Sequence, residues 1–396
     1  MRQHAPAARG LFALGTGLLL LLGCRGADGE APADGGTAAA PPPPAGESTP
    51  LPPARAQVPR GFRIETVTDA LPGVRMLAFS PDGRLFATQP RAGRVVVVPV
   101  GEGRPQAWAT GLNLPHGIAF HNGRLYVAET DAVVRWPYQA GSARAPGEPQ
   151  RIAALPAGGG HWTRTVRFGP DGAMYVAVGS SCNVCIEEDP RRAALLRFPA
   201  PGDQLSGLLE GELYATGLRN TVDFAWDRQN RLWGVDNGRD HLGDTLPPEE
   251  LNLIRQGGFY GWPYAYGDRV PDPEFGERNP ERVRETIPPA FTFPAHSAPL
   301  GIAFYEGDQF PPDYRGDLFV ALHGSWNRST PIGYQVVRVH YENGQPRRMT
   351  EFITGLGEGG NAWARPVGIV VGPDGSLFVS DDKGGHIFRV RYVGGS

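Results

Sequence analysis

One histidine in the sequence stands where a base could reach a bound ligand. His161 follows three consecutive glycines, residues 158–160, and glycine lets a ligand approach the backbone closely. A neutral imidazole accepts protons near physiological pH, so His161 can act as a general base. It can equally be a hydrogen-bonded structural residue, and its spacing alone leaves both interpretations open.

A second segment combines a cation, an amide and a cluster of oxygen ligands. Arg219 and Asn220 are adjacent, and the loop after the next strand pair is rich in carboxylate and amide groups. Such loops suit a hard cation such as calcium, with backbone carbonyls completing the shell. The spacing is not that of an EF-hand, and a solvated acidic loop is the alternative. The oxygen-bearing residues of this loop are Asp236, Asn237, Asp240, Asp244, Glu249 and Glu250.

Two cysteines lie close together in the middle of the chain. Cys182 and Cys185 are separated by two residues and followed by Ile186 rather than histidine, so covalent haem attachment is not supported. A zinc ribbon would need a second pair of cysteines. In an oxidising compartment the spacing favours a local disulfide that stiffens its loop, with a redox-active dithiol as the alternative.

The elements that must position these residues repeat six times. Each copy is a hydrophobic strand, a tight polar or glycine turn, and a second strand. The copies start at Leu77, Ile118, Val166, Phe224, Ile302 and Ile369. Repetition on this scale predicts a closed ring of small sheets. The fold class that we expect is therefore all-β, a six-bladed β-propeller.

Each repeat brings two chain segments to one end of its blade. The first two strands form a hairpin, so residues before the first strand and after the second lie together at the mouth of the central channel. The opposite end carries ordinary turns such as Asp82-Gly83. The polar residues before the first strands are Arg75, His116, His161 with Arg164, Arg219 with Asn220, His296 with Ser297, and Arg365. One face is therefore expected to carry the chemistry.

Composition agrees with this fold and excludes one class of partner. The 396 residues include 55 Gly and 40 Pro, which suits a turn-rich all-β domain better than a helix bundle. The formal net charge is −3 and the arginines are scattered rather than clustered. We therefore expect no nucleic acid partner.

The N-terminal region has the layout of an export signal. Two arginines precede an apolar run over residues 11–22 that is short for a membrane span. The run ends in Leu-Leu-Gly-Cys, which resembles a bacterial lipobox, so Cys24 is expected to be lipidated; a soluble export signal is the alternative.

The sequence thus predicts three segments: residues 1–24, a signal peptide with a lipobox; residues 25–57, a disordered tether rich in Ala, Pro and Gly; and residues 58–396, the propeller. The expected location is periplasmic or elsewhere in the cell envelope, attached to a membrane through the lipid on Cys24.

From about Gly61 to Tyr392 the sequence resembles a known family, the soluble pyrroloquinoline quinone (PQQ) dependent sugar dehydrogenases, also called the glucose/sorbosone dehydrogenase family. The motifs that carry the resemblance are Gly160-His161, Leu-Arg-Asn at Leu218, Glu-Leu-Asn-Leu-Ile at Glu250, Gly-Gly-Phe-Tyr-Gly-Trp-Pro at Gly257 and Ala-Arg-Pro-Val at Ala364. The Ser-Ser-Cys-Asn-Val-Cys loop and the His-Gly-Ser-Trp-Asn-Arg stretch from His323 look most like the L-sorbosone dehydrogenase branch.

The resemblance implies oxidation of an aldose or a sugar aldehyde, with hydride transfer to PQQ and electrons passed to an external acceptor. It makes His161 the general base and places Arg219 against the reactive quinone oxygens, with Asn220 beside it. PQQ is a tricarboxylate, so the resemblance also implies cationic residues at its carboxylates. The candidates for that role are Arg365, Arg328 and Lys383.

The resemblance further implies a calcium ion that bridges cofactor and protein. Its protein ligands would be the backbone carbonyls of Gly238 and Arg239, with Asp240 or Asp244 supplying a carboxylate.

Two positions depart from the family pattern. Gly179 is followed by Ser180, where the family commonly has an Asp that orients and charges the catalytic histidine; the candidates to replace it from further along the loop are Glu187, Glu188 and Asp189. Trp363, two residues before Arg365, stands where the family has a second cofactor-binding arginine.

These departures keep other functions open. One is a calcium-dependent propeller hydrolase of the lactonase type, in which a metal activates water. Another is a non-catalytic propeller that binds a glycan or a protein, because fold does not imply function.

Overall fold

The computed structural model describes residues 55–357 and 359–394. The predicted signal peptide with Cys24 and nearly all of the predicted tether lie outside the described residues. Residues 55–57 of the tether are described, and Gln57 pairs with Thr354 through two backbone hydrogen bonds of 2.9 and 3.0 Å. The described structure thus includes three residues that the sequence assigned to the tether. None of its helices has the length and apolar character that crossing a membrane requires.

The predicted fold class is confirmed, because the strands form six antiparallel blades arranged as a six-bladed β-propeller. In chain order, β1 (Phe62–Thr68) comes before blade one, which contains β2 (Leu77–Phe79), β3 (Leu85–Gln89), β4 (Arg94–Val98) and β5 (Gln106–Ala109). Blade two contains β6 (Ile118–His121), β7 (Arg124–Ala128), β8 (Ala132–Pro137) and β9 (Gln150–Ala154). Blade three contains β10 (Arg164–Phe168), β11 (Met174–Val178), β12 (Ala194–Phe198) and β13 (Glu212–Thr216).

The remaining blades follow the same order. Blade four contains β14 (Thr221–Trp226), β15 (Leu232–Asp236), β16 (Glu249–Ile254) and β20 (Phe291–Phe293), blade five β21 (Pro299–Phe304), β22 (Leu318–Leu322), β23 (Gln335–Glu342) and β24 (Gln345–Ile353), and blade six β25 (Pro366–Val371), β26 (Leu377–Asp381) and β27 (Ile387–Tyr392).

A long excursion between β16 and β20 of blade four adds several small elements. In it, β17 (Gly258–Phe259) pairs in parallel with β13, and β18 (Ala265–Tyr266) and β19 (Val270–Pro271) form a two-stranded ribbon. The one α-helix of the described residues, α1 (Pro280–Glu285), is capped by the side chain of Asn279, which accepts a hydrogen bond from the Arg282 backbone N–H. Three-residue 3₁₀ turns occur at Pro90–Ala92, Gly276–Arg278 and Pro312–Tyr314.

The ring is closed in two ways. The innermost strands contact their neighbours in the order β2, β6, β10, β14, β21 and β25, and β25 contacts β2 again. In addition, β1 pairs antiparallel with β27, from Phe62 opposite Tyr392 to Thr68 opposite Ile387. The first strand thus supplies the outermost strand of the last blade, so strand pairing between the two ends of the propeller closes the ring.

Apolar side chains fill the spaces between the blades. Six clusters of buried residues lie one at each junction between neighbouring blades. Blades one and two share Phe86 and Leu125, for example, and blades one and six share Leu85 and Phe378. Burying one such side chain contributes roughly 1.5–3 kcal/mol. This packing holds the inner ends of the strands in fixed positions around the channel.

Glycines make the crowded centre of the ring possible. A Cβ on Gly117, just before β6, would lie 2.5 Å from the Val166 backbone nitrogen of the neighbouring inner strand. A Cβ on Gly368, in β25, would lie 2.6 Å from the Arg75 backbone oxygen. Any other residue at these two positions would push neighbouring blades apart.

Candidate active site

A cavity of about 360 Å³ opens at the channel end to which the sequence assigned the polar flanks. Its volume lies within the range of small-molecule sites in proteins. The segments before the inner strands and after the second strands of several blades supply its walls. The residues that line it are Arg75, Gly160, His161, Trp162, Thr163, Arg219, Asn220, Val222, Asn237, Gly238, Asp240, Glu249, His296, Ala298, Leu300, His323, Trp326 and Asn327.

His161 lies in this wall with one ring nitrogen tied to the protein. Its Nδ1 is 2.8 Å from Ser180 Oγ and 3.1 Å from the Ser180 backbone oxygen. The hydroxyl of Ser180 donates its own proton to the Cys182 carbonyl at 2.7 Å. Both Ser180 oxygens can therefore only accept from His161, so Nδ1 carries the imidazole proton. The free lone pair is then on Nε2, which makes no hydrogen bond to any described residue.

The surroundings keep His161 neutral. Burial lowers its pKa to about 3, and the positive charge of Arg219 acts in the same direction. Glu187, a candidate to replace the family's Asp, instead accepts hydrogen bonds from the Ser181 N–H (2.6 Å) and hydroxyl (2.7 Å). Within the described residues no carboxylate contacts the imidazole. His161 is thus a neutral hydrogen-bond acceptor across the ordinary pH range.

Arg219 also lies in the cavity wall and is almost completely buried. Its Nε donates to the Asn183 carbonyl at 2.9 Å, and its Nη1 donates to the Asn237 carbonyl at 3.1 Å. Its Nη2 donates to Asn183 Oδ1 at 2.8 Å and forms an ion pair with Asp240 at 3.1 Å. Contacts on all three nitrogens fix the guanidinium plane.

Asn220 is held beside Arg219 by its backbone. Its N–H donates to Asp236 Oδ1 at 2.9 Å, and the Thr221 hydroxyl donates to the same oxygen at 2.7 Å. The side-chain oxygen Oδ1 of Asn220 is buried without a partner among the described residues. A buried amide oxygen without a donor is costly, so this atom is a place where a ligand donor would be accepted.

Arg75, from blade one, lines the cavity, although the sequence did not predict it to bind a cofactor. Its Nη1 pairs with Asp382 Oδ2 at 2.7 Å, and its Nε is buried without a partner among the described residues. The other oxygen of Asp382 accepts from His323 Nε2 at 2.9 Å. Burial opposes ionisation of Asp382, but His323 and Arg75 outweigh it and hold the pKa of Asp382 well below its usual range. Arg75 precedes the inner strand of blade one as Arg365 precedes that of blade six. This equivalence could have identified Arg75 as a candidate cofactor ligand.

Arg365 lies one layer behind this cluster. Its Nε and Nη2 donate to the carbonyls of His323 (3.1 Å) and Gly324 (2.7 Å), so it supports the wall without lining the cavity.

Three predicted ligand residues lie away from the cavity. Arg328 donates to the Thr330 and Ala295 carbonyls and does not line the cavity. Lys383 is exposed and does not line the cavity. Asp244 hydrogen-bonds Ser329 on the outside of its loop. None of these three residues lines the cavity, since Arg328 and Asp244 bond to nearby loop residues and Lys383 is exposed, so their roles as ligands stay predictions.

The other predicted metal ligands meet at the blade-four side. Gly238, Asp240 and the buried Glu249 line the cavity. The Arg239 side chain turns away to Asp272 (2.8 Å) and Glu274 (2.6 Å), which leaves only its backbone for a metal. No hydrogen bond among the described residues uses the Gly238 or Arg239 carbonyl.

Glu249 was noticed in the sequence only as part of an acidic loop. Its Oε2 accepts from the Gly238 N–H at 2.7 Å, and burial raises the pKa of Glu249 to about 8. The next residues of β16, Glu250 and Leu251, are buried as well, so alternation along the strand gives no signal that singles out Glu249.

Cys182 and Cys185 are joined by a disulfide, so the loop between Ser180 and Glu187 is locally closed. This loop provides Ser180 to His161 and Asn183 to Arg219. Together with Glu187 the two cysteines form the one cluster of three possible metal ligands found in the described part of the chain, but their sulfurs are bonded to each other.

Comparison with known proteins gives a family and a set of relatives. The model of the family described as TrAA12-like matches residues 56–393. An uncharacterized protein of Borreliella burgdorferi is 31% identical over 358 residues, which cover 85% of this chain and 90% of that protein. A "Pyrroloquinoline quinone-dependent pyranose dehydrogenase" of Coprinopsis cinerea is 25% identical over 87% of this chain, which spans about half (56%) of that protein.

Two solved structures share the fold. The holo form of the pyranose dehydrogenase PQQ domain from Coprinopsis cinerea superposes with a TM-score of 0.74 at 22% identity, covering 85% of this chain and 97% of that one. The calcium structure of a Trichoderma reesei protein of carbohydrate-active enzyme family AA12 gives a TM-score of 0.72 at 22% identity, with coverage of 85% and 97%.

Proposed function

Because the chain belongs to the TrAA12-like family, we propose that it is a PQQ-dependent sugar dehydrogenase, an oxidoreductase that acts on an aldose or a sugar aldehyde. The observation that carries the proposal is the arrangement of His161 and Arg219 in one cavity, with a basic nitrogen unprotonated and a guanidinium fixed. Likeness of the 180–185 loop to the L-sorbosone branch supports a sugar aldehyde as one substrate.

The cavity has the chemistry that a tricarboxylate quinone needs. Arg75 and Arg219 supply positive charge, and Arg365 adds more from behind His323. Arg75 Nε and Asn220 Oδ1 are buried polar atoms whose partners are not among the described residues. Buried charges and polar groups call for such partners, and an anionic ligand with hydrogen-bonding edges would provide them.

Calcium fits the blade-four side of the same cavity. Gly238 and Asp240 line the cavity, Arg239 lies between them in sequence, and the carbonyls of Gly238 and Arg239 have no hydrogen-bond donor among the described residues. Carbonyl and carboxylate oxygens are the ligands that calcium prefers. We therefore keep Gly238, Arg239 and Asp240 as the proposed metal ligands and set Asp244 aside.

In the proposed reaction the residues have separate tasks. PQQ, when bound, would be the two-electron oxidant that takes the hydride from the carbon bearing the sugar hydroxyl. His161 Nε2 accepts the proton of the sugar hydroxyl as the carbon that bears it becomes a carbonyl carbon. Arg219 stabilises negative charge at the oxygens that face it, since its position is fixed before the reaction starts. Electrons then pass to an external acceptor, which completes the cycle.

We expect cofactor binding to require both the cationic wall and calcium. The purified protein should bind PQQ with calcium present and then reduce a dye with a panel of aldoses and sugar aldehydes, and chelation should release the cofactor or abolish reconstitution. Absorbance titration of PQQ with and without chelator measures this. Tight PQQ binding without calcium in Arg75→Ala would overturn the assignment of the wall.

The same experiment separates the alternatives. Calcium-dependent hydrolysis of lactones without PQQ would favour the hydrolase. Glycan binding without turnover would favour a binding propeller.

We also propose that the protein is exported and anchored to a membrane through a lipid on Cys24. The signal layout of residues 1–24 and the composition of residues 25–54 support this. Mass spectrometry of the mature N-terminal peptide should find a lipidated Cys24 as the first residue, and an unmodified terminus further along the chain would refute the anchor.

A further inference from the structure

The loop closed by the Cys182–Cys185 disulfide makes several hydrogen bonds to residues of the cavity. Asn183, one of the two residues between the bonded cysteines, accepts the Arg219 Nε–H on its backbone oxygen at 2.9 Å. Its side-chain oxygen accepts from Arg219 Nη2 at 2.8 Å and from the Asp240 N–H at 2.8 Å. Its side-chain nitrogen donates to the Asp240 carbonyl at 3.2 Å.

These contacts have a specific geometry. The amide of Asn183 pairs with both backbone groups of Asp240, as a neighbouring strand would, while two oxygens of Asn183 face two nitrogens of the guanidinium. The Trp262 indole N–H, 3.3 Å from the same backbone oxygen, closes the arrangement from the other side. One residue therefore sets the orientation of the cation and the carboxylate relative to each other.

The same loop also holds the proposed base. Ser180 accepts the Nδ1 proton of His161, and its hydroxyl is in turn fixed by the Cys182 carbonyl at 2.7 Å. The Gly160 N–H donates to the Ser181 carbonyl at 2.7 Å, which ties the segment before His161 to the loop. A Cβ on Gly159 would lie 2.7 Å from Ser181 Cα, so the two segments are in direct contact.

We infer that Asn183 is a positioning residue for Arg219 and Asp240, and that the Cys182–Cys185 disulfide holds Asn183 in the conformation this role needs. The inference rests on the proposed function for its catalytic meaning, but the positioning itself is a property of the protein without cofactor. A guanidinium fixed in advance avoids reorganisation during the reaction, which is why its orientation matters.

Two sets of variants separate the side chain from the loop. Asn183→Ala removes the side-chain contacts and leaves the backbone oxygen in place. The double variant Cys182→Ser, Cys185→Ser keeps Asn183 but releases the loop, and reduction of the wild type with a phosphine should act in the same way. Asn183→Asp is the conservative variant, because it keeps the acceptor for Arg219. The matched control is Asn113→Ala, which removes an exposed asparagine that contacts Asp131.

The first measurement needs no cofactor. In apo-protein labelled at arginine, the Arg219 Nε–H resonance should be protected from exchange in the wild type, in the Asn113→Ala control and in Asn183→Ala. It should exchange about tenfold faster or more once the disulfide is removed. The Asp240 amide should lose protection in Asn183→Ala and in the double-serine variant.

The second measurement is functional. PQQ affinity and kcat should fall about tenfold or more in Asn183→Ala and in the double-serine variant, with partial recovery in Asn183→Asp and an unchanged melting temperature in Asn183→Ala. Unchanged Arg219 and Asp240 protection in both variants would overturn the inference even if the wild type proves to be a PQQ dehydrogenase. If the variants lose protection as expected but the wild type binds no PQQ, the proposed function is refuted and the positioning role remains.

Discussion

Replacing His161 with Ala should lower kcat by about a hundredfold or more while PQQ affinity stays nearly unchanged, in line with typical contributions of a general base. The reason is the hydrogen bonding of the ring: Ser180 holds the proton on Nδ1, and the lone pair on Nε2 is left for the sugar hydroxyl. Alanine removes that lone pair and keeps the backbone. Steady-state kinetics with saturating PQQ, calcium and an accepted sugar measures the effect.

The companion variant is Ser180→Asp, which tests the same role through pH. In the wild type the pKa of His161 is lowered to about 3, so protonation of His161 should not limit kcat/KM above about pH 4. A carboxylate at residue 180 favours the charged imidazole and raises this pKa. As the pH falls, the Ser180→Asp variant should therefore lose activity at a higher pH than the wild type does, and its pH optimum should move upward. Full activity in His161→Ala would remove the proposed mechanism.

Removing the Arg219 guanidinium should have an effect of similar or greater size. We expect Arg219→Ala to lower kcat by about 10²–10³ and to weaken PQQ binding, because the variant loses the fixed positive charge at the reacting oxygens. Arg219→Lys should recover part of the loss, since lysine keeps the charge but cannot match the two oxygens of Asn183. Cofactor titration and steady-state kinetics measure the two effects.

Arg197→Ala is the control for the change in net charge. Arg197 pairs with Asp171 and Glu212 at the turn end of blade three and does not line the cavity. Its kcat and PQQ affinity should equal those of the wild type. Equal kinetics for Arg219→Ala and Arg197→Ala would show that Arg219 plays no part in the reaction.

Most of the fold could be predicted from local signals in the sequence. Each blade contains a hairpin whose turn residues can be recognised in the sequence. The strands β2 and β6 begin at Leu77 and Ile118, as predicted. The strand β1 could not be placed in the same way. Phe62–Thr68 has no hairpin partner in the sequence, and its pairing with β27 depends on closure of the whole ring.

The site shows where sequence reasoning stops. The repeat predicts which end of a blade a residue occupies, and His161, Arg219 and Asn220 indeed meet in the cavity. It does not predict the direction of a long side chain, because that direction depends on nearby carbonyls and ion-pair partners. Arg328 is held outside by the Ala295 carbonyl for this reason.

The cluster of Arg75, His323 and Asp382 joins three blades that are far apart in sequence. No local pattern connects these residues, because the contact exists only once the ring has formed. The role of Asn183 was hidden for the same reason, since its partners lie in blade four.

The seam between β1 and β27 also has a consequence for the order in which the protein is made. A ribosome releases Phe62–Thr68 early, yet the partner strand Ile387–Tyr392 emerges only after the other blades have been synthesised. Until then the nascent chain carries a strand with an unpaired edge, which other chains can pair with. A chain that ends before blade six therefore lacks the partner of β1 and cannot close the ring.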